Sequence, residues 1–492
     1  MLIPRRDLEF QLYEVLDLPA LCARPRFEAH DRGVFDAALE SAYRIAEQRF
    51  LPFAAITDEQ EPSLVDGAVR MVPETKVALE TLADAGFIAA AFDEGWGGLQ
   101  LPYALSQACS ALFAGGHVGF HAYAMLTAGA AHLVLSFGTP EQKERYARPM
   151  LEGTFFGTMC LSETGAGSSL ADIRMQAVPQ PDGRYLLRGD KMWISGGEHE
   201  LADNIVHMVL ARLPDAPPGV RGISLFIVPR WEIREDGSLG GDNDVHLAGL
   251  NHKMGWRGTV NTVLSFGDEG RCMGELLGEP NRGLASMFQM MNEARIGVGI
   301  CAVSLGYAGY RYSLGYAQER RQGRRLADKD PSSPAVPIID HPDVRRMLLA
   351  QKAWVEGGLG LVLYCASLVD EIATAGEPAR READSLLLEL LTTSQLELTL
   401  LLLAYLRDLL LVLLSNLFQG SVGELLRPLL HRCTDSVKLL LDLIELLGEL
   451  LGTFLDGKQL SLAVVRLLLE LDDLLVLGDH LFSQADIVAR KG

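Results

Sequence analysis

The sequence predicts an α+β multidomain protein: an N-terminal helical domain, a middle β-barrel and a C-terminal helical bundle. Three observations carry this expectation. Apolar residues recur at helical spacing up to about residue 153. From about residue 156 the pattern changes to short β-rich runs separated by turn clusters. From about residue 283 helical periodicity returns. The expected domains are 1–154, 155–275 and 276–492.

In chain order, FDAALESAYRIAEQRF (35–50) has the apolar spacing of an amphipathic helix. A second helix start lies at Thr139, with Thr139 as N-cap, Pro140 at the first helical position and Gln142 completing a capping box. It runs to Gly153. RYLLRGDKMWI, NIVHMVLAR, GISLFIVPR and TVNTVLSF then read as strands, divided by turn clusters such as PDG, DAPPG and EDGS. SMFQMMNEARIGVGICAVSLGYAGYRYSLGYAQERR is a long helical stretch. A polar, proline-rich loop follows it, and a further helix starts near Asp343. In Leu386–Leu475 about two residues in five are leucine. Leu396–Leu417 is apolar enough for a membrane span, but Arg407 and Asp408 at its centre make that costly, so buried bundle helices are expected.

A formal net charge of −20 repels phosphate backbones, so no nucleic-acid partner is expected. The seven cysteines are scattered and form no CxxC pair, which argues against a disulfide framework and a zinc site. The N-terminus has no apolar core of a secretory signal, and a reducing cytoplasm is the expected compartment.

MCLSETGAGSS (159–169) and, some thirty residues on, GDKMWISGG (189–197) carry a resemblance. NEAR (292–295) and QERRQGR (318–324) follow at matching spacing, together with DEGWGGLQLP, FGTPEQ, GGEHELADNIVHMVLAR, LNHKMGWRGT and HPDVRRML. From about residue 15 to about 385 the chain resembles acyl-CoA dehydrogenases, in particular their long bacterial, methylmercaptopropionyl-CoA dehydrogenase-like subgroup. The resemblance implies bound FAD. Ser162 and Ser195 would reach the N5/O4 edge of the flavin, Leu161 would add a main-chain contact, and Trp193 would cover one ring face. Standing alone, Trp193 could equally be a core tryptophan. Gly165, Gly167 and Ser168 resemble the turn passing the CoA portion, although Thr164 and Ser169 stand where relatives usually have Pro and Asp. Asn292 and Arg295 resemble channel residues for the substrate. Arg320 matches an arginine that reaches the FAD of a neighbouring subunit, which implies a homodimer or homotetramer.

The implied reaction is α,β-dehydrogenation of an acyl-CoA, with electrons passed to an electron-transferring flavoprotein. An acyl-CoA oxidase, or a flavin- or acyl-CoA-binding scaffold without turnover, are the alternatives. The reaction needs a carboxylate base with a raised pKa. Relatives place a late Glu in a Tyr-Glu-Gly-Thr loop, and a loose count back from Arg490 puts Leu477 there. Others place it immediately before the channel arginine, where this chain has Ala294; Glu293 lies about 100° away round the helix. The catalytic base is therefore unassigned. Gly297 and Gly299 suggest a roomy channel.

Overall fold

The computed structural model describes residues 2–325, 327, 330 and 332–392, without the side chains of Gln289, Asn292 and Glu293. The segment Leu396–Leu417, Cys433 and Leu477 lie outside these residues.

The first long helix, α1 (Arg32–Ile45), starts where the Asp31 carboxylate accepts the Val34 N–H at 2.9 Å, and it buries Phe35, Leu39 and Ala42 at helical spacing. Helix α2 (Glu74–Asp84) buries Ala78, Leu79 and Leu82. The central helix α3 (Tyr103–Phe137) is buried along most of its length and bends at His117, whose φ/ψ of −162°/94° leaves the helical region. The bend is capped by its own side chain. His117 Nδ1 accepts the Phe120 N–H at 3.1 Å, so Nε2 carries the proton facing Thr57 Oγ1 at 2.6 Å. The capping box at Thr139 forms: Thr139 Oγ1 accepts the Gln142 N–H at 3.2 Å, and Gln142 Oε1 accepts the Thr139 N–H at 3.1 Å.

Eight strands of one sheet follow: β1 (Phe155–Cys160), β2 (Gln176–Pro179), β3 (Tyr185–Ser195), β4 (Asn204–Arg212), β5 (Ile223–Pro229), β6 (Val245–Leu250), β7 (Asn261–Phe266) and β8 (Met273–Leu276). They form the curled sheet of the middle β-barrel, in the order β6-β7-β3-β8-β5-β4-β1, with β2 beside β3 and β4. β4 and β5 are apolar and buried almost throughout, as central strands covered on both faces must be.

Two long helices follow, α4 (Gly283–Glu319) and α5 (Pro342–Thr374), and a further helical run covers residues 378–392. A Cβ on Gly297 of α4 would lie 2.7 Å from Met125 Sδ of α3, and one on Gly129 of α3 would lie 2.9 Å from Met290 Cε of α4. The two methionines thus fill the notches of the two glycines, drawing the antiparallel helices together. Met125 lies against Gly297, and both residues line the cavity described below. Asp370 of α5 caps α3, its two oxygens accepting the N–H groups of Tyr103 at 2.7 Å and Ala104 at 2.9 Å. Both α3 and α5 are long and apolar enough to cross a membrane, but in this fold they pack with α4 into a helical layer, with 61% and 44% of their most apolar windows buried.

Candidate active site

The end of β3 builds the first half of the site. Alternation along the strand turns Leu187 and Lys191 inward. The pairing with β7 then slips, from Leu264 opposite Lys191 to Thr262 opposite Ile194, so the intervening residues form a bulge. Trp193 sits in it with φ 65°, a left-handed backbone that is costly for a bulky side chain. The bulge turns the indole outward, 56% exposed. That excludes the core-tryptophan alternative: the fold strains its backbone to present a large aromatic surface rather than to bury it.

The neighbouring loop is bolted to β3. The Met192 N–H donates to the Ser162 carbonyl at 2.9 Å. Lys191, fully buried, donates from Nζ to the Leu161 carbonyl at 2.9 Å and to Glu163 Oε1 at 3.0 Å. Glu163 also accepts the backbone N–H groups of Arg174 at 2.7 Å and Met175 at 3.0 Å. Burial pushes the pKa of Lys191 down, against the pull of Glu163. Beyond this anchor, reciprocal main-chain bonds between Glu163 and Ala166 close a tight turn, on which Gly165, Gly167 and Ser168 are exposed. The Leu161 carbonyl is thus committed to Lys191.

Ser195 is half-buried, and its Oγ accepts from Asn261 Nδ2 at 3.2 Å. Asn261 Oδ1 in turn accepts from Asn251 Nδ2 at 2.9 Å. With its lone pair engaged in this way, the Ser195 hydroxyl keeps its proton to donate elsewhere. Lys191, Glu163, Asn251 and Asn261 were not among the residues singled out in the sequence. The signal for Lys191 was present, since a lysine in phase with inward apolar positions requires a buried carboxylate partner.

The second half of the site is a cavity of about 470 Å³, inside the usual range for a small-molecule site. Helix α3 contributes to both halves. On one side the Tyr123 hydroxyl accepts the Val260 N–H at 2.9 Å, and the Val260 carbonyl accepts the N–H of Gly196, next to Ser195. On the other side Ala124, Met125 and Gly129 line the cavity, facing Met290, Ala294 and Gly297 of α4. Ala294 therefore puts a methyl group on the cavity wall. The carboxylates among the described lining residues are Asp93, which pairs with Arg26 at 2.5 Å, and Asp370, which caps α3. Burial pushes Asp370 up to about 7, although the two N–H groups it accepts and the nearby Arg26 pull it down.

The remaining expected residues lie apart from this core. Arg295 is half-buried on α4 beside Ala294. Asn292 lies one turn earlier on α4, and its side chain is outside the described residues. Arg320 caps the C-terminus of α4, exposed, with its N–H donating to the Tyr316 carbonyl at 2.8 Å. Its neighbours Arg321, Arg324 and Arg325 are tied to Ala335, Ser333 and Asp340.

Comparison with known proteins agrees with this architecture. Residues 36–154 match the acyl-CoA dehydrogenase N-terminal domain, and residues 158–268 match the acyl-CoA dehydrogenase middle domain. The 3-methylmercaptopropionyl-CoA dehydrogenase of Ruegeria pomeroyi is 36% identical over 78% of this chain and 64% of its own. A butyryl-CoA dehydrogenase of Syntrophomonas wolfei is 34% identical over 77% of this chain and 63% of its own. This chain thus spans somewhat less than two thirds of the length of these relatives. An acyl-CoA dehydrogenase from Bacillus anthracis, solved in complex with FAD, has the same fold, with a TM-score of 0.63 at 19% identity over 81% of this chain and 61% of that one. The chain belongs to the acyl-CoA dehydrogenase family.

Proposed function

We propose that the protein is a FAD-dependent enzyme that dehydrogenates acyl-CoA thioesters between their α and β carbons. The observation that carries this reading is Trp193, an exposed indole held out on a strained bulge beside Ser195 and the anchored Leu161–Ser162 segment. These residues fit a flavin: a flat aromatic wall next to hydroxyl and main-chain donors suits an isoalloxazine ring and its polar edge. Bound FAD would supply the acceptor for the β-hydride. Trp193 covers a ring face, Ser195 and Ser162 donate to its edge, and the Lys191–Glu163 pair keeps Ser162 in place. Ser168 and its turn meet the CoA portion. The acyl chain enters the cavity between α3 and α4, with Asn292 and Arg295 at its wall. Arg320, exposed at the end of α4, serves the FAD of a neighbouring subunit in a homodimer or homotetramer. Electrons leave to an electron-transferring flavoprotein, with an acyl-CoA oxidase as the variant in which oxygen takes them. The free thiols of Cys109, Cys160, Cys272, Cys301 and Cys365, all buried, suit a reducing cytoplasm.

A second reading is favoured by the cavity wall itself. Ala294 offers no carboxylate, and Asp93 and Asp370 are already engaged. On that reading the protein binds flavin and acyl-CoA without turnover. A visible spectrum of the FAD-loaded protein, before and after anaerobic addition of acyl-CoAs, separates the two. Bleaching of the flavin bands supports the dehydrogenase. A spectral shift without bleaching supports the scaffold. No flavin binding at all contradicts both.

A further inference from the structure

The polar end of the cavity carries information about the acyl group. Where α3 bends, the cavity is lined from both halves of the helix: Ser106, Gln107 and Ser110 before the bend, His121 after it. Phe113 and His121 approach across the bend to 6.4 Å between ring centroids, so the bend gathers these side chains at one end of the space. The other end, toward α4, is walled by Met125, Met290, Ala294 and Gly297. Further along α3, His132 and Ser136 also line the cavity.

His121 is the informative member. It is only 5% exposed, its ring borders the cavity, and its buried Nδ1 has no hydrogen-bond partner. Buried polar groups are nearly always satisfied, and an orphan beside a ligand-sized space points to a partner supplied from that space. A half-turn of the ring about Cβ–Cγ exchanges the nitrogen and carbon positions, so a ring nitrogen can be offered to the cavity.

We propose that the cavity selects acyl groups whose far end carries a neutral hydrogen-bonding group, a hydroxyl being the simplest, and that His121 recognises it. This rests on the acyl-CoA reading above. Neutrality follows from the charges around the space. Arg26 is bound to Asp93 at 2.5 Å and to the Ala91 carbonyl at 3.3 Å, leaving it poorly placed to receive an anion, and the Asp370 carboxyl lines the same cavity. Burial pushes His121 down to about 4, so the ring is an uncharged donor and acceptor at neutral pH. A plain alkyl end would leave the ring nitrogen unmet, whereas a terminal hydroxyl would satisfy it.

The test is calorimetric titration of the FAD-loaded protein with hexanoyl-, octanoyl- and decanoyl-CoA, each against its ω-hydroxy counterpart. At the chain length that spans the cavity, the hydroxy compound is expected to bind about tenfold tighter, the worth of one net hydrogen bond. His121→Leu should abolish that preference. Equal or weaker binding of the hydroxy compound at every length overturns the proposal, as does an unchanged preference in a folded His121→Leu protein. Binding of neither series overturns both this proposal and the acyl-CoA reading, whereas tight binding without preference overturns this proposal alone.

Discussion

Replacing Lys191 by Met removes the bolt between β3 and the Leu161–Glu163 loop while keeping a side chain of similar length. The wild-type ammonium is fully buried, 3.0 Å from Glu163 and 2.9 Å from the Leu161 carbonyl. Breaking a buried pair by removing one partner typically costs about 3–5 kcal/mol, because the remaining charge is left uncompensated. Glu163 keeps the N–H groups of Arg174 and Met175. The expected cost of Lys191→Met is therefore at the lower end, about 3 kcal/mol. Glu163→Gln should also destabilise. The double variant should be more stable than the sum of the two single losses predicts, with a coupling of about 1–3 kcal/mol. Urea denaturation of the four apoproteins reads all of these values from one cycle. A loss below about 1 kcal/mol for Lys191→Met, or additivity in the cycle, would refute the reasoning. The loop would then be held by the Met192–Ser162 main-chain bond and by the Arg174 and Met175 N–H groups donated to Glu163.

Two further outcomes follow from the helical layer. Asp370 has a folded pKa of about 7, raised by burial above that of an unfolded carboxyl. Its contribution to stability is fully present below the unfolded pKa and is lost as pH rises to about 7, so the melting temperature should fall between about pH 4 and 7. Asp370→Asn, which cannot ionise, should flatten that slope; the same slope in both proteins on pH-dependent melting would contradict the assignment. Gly297→Ala places a Cβ 2.7 Å from Met125 Sδ, the flexible part of a side chain, so Met125 should give way at a cost of about 1–2 kcal/mol. Thermal melting of the variant checks this, and no change would mean the two helices are not in close contact there.

The helical, β and helical order was legible because each element carries its own period: 3.6 in Phe35–Ile45, and runs of strand-forming residues in β4 and β5. The capping box at Thr139 is a local pattern and could be read in the same way. The bend in α3 was not legible, because the His117 side chain that caps it is held by Thr57, sixty residues away in sequence. Likewise the motif containing Trp193 could be read, but not the outward pose of the ring, which depends on a slip in register against β7. Gly297 could be read as a small residue on the channel helix, and it does line the cavity, but its close contact with Met125 could not be read. A glycine states that a side chain is missing, and only the tertiary packing shows that Met125 fills the vacancy.

The central claim is that the bulge of β3 presents Trp193 to a flavin, and titration of the apoprotein with FAD tests it most directly, comparing wild type with Trp193→Ala. The indole is exposed and makes little of the core, so the variant should unfold within about 1 kcal/mol of wild type. The account predicts stoichiometric FAD binding by the wild type and an affinity at least about tenfold weaker in the variant. Equal affinity in the two proteins, or no FAD binding by the folded wild type, would contradict it.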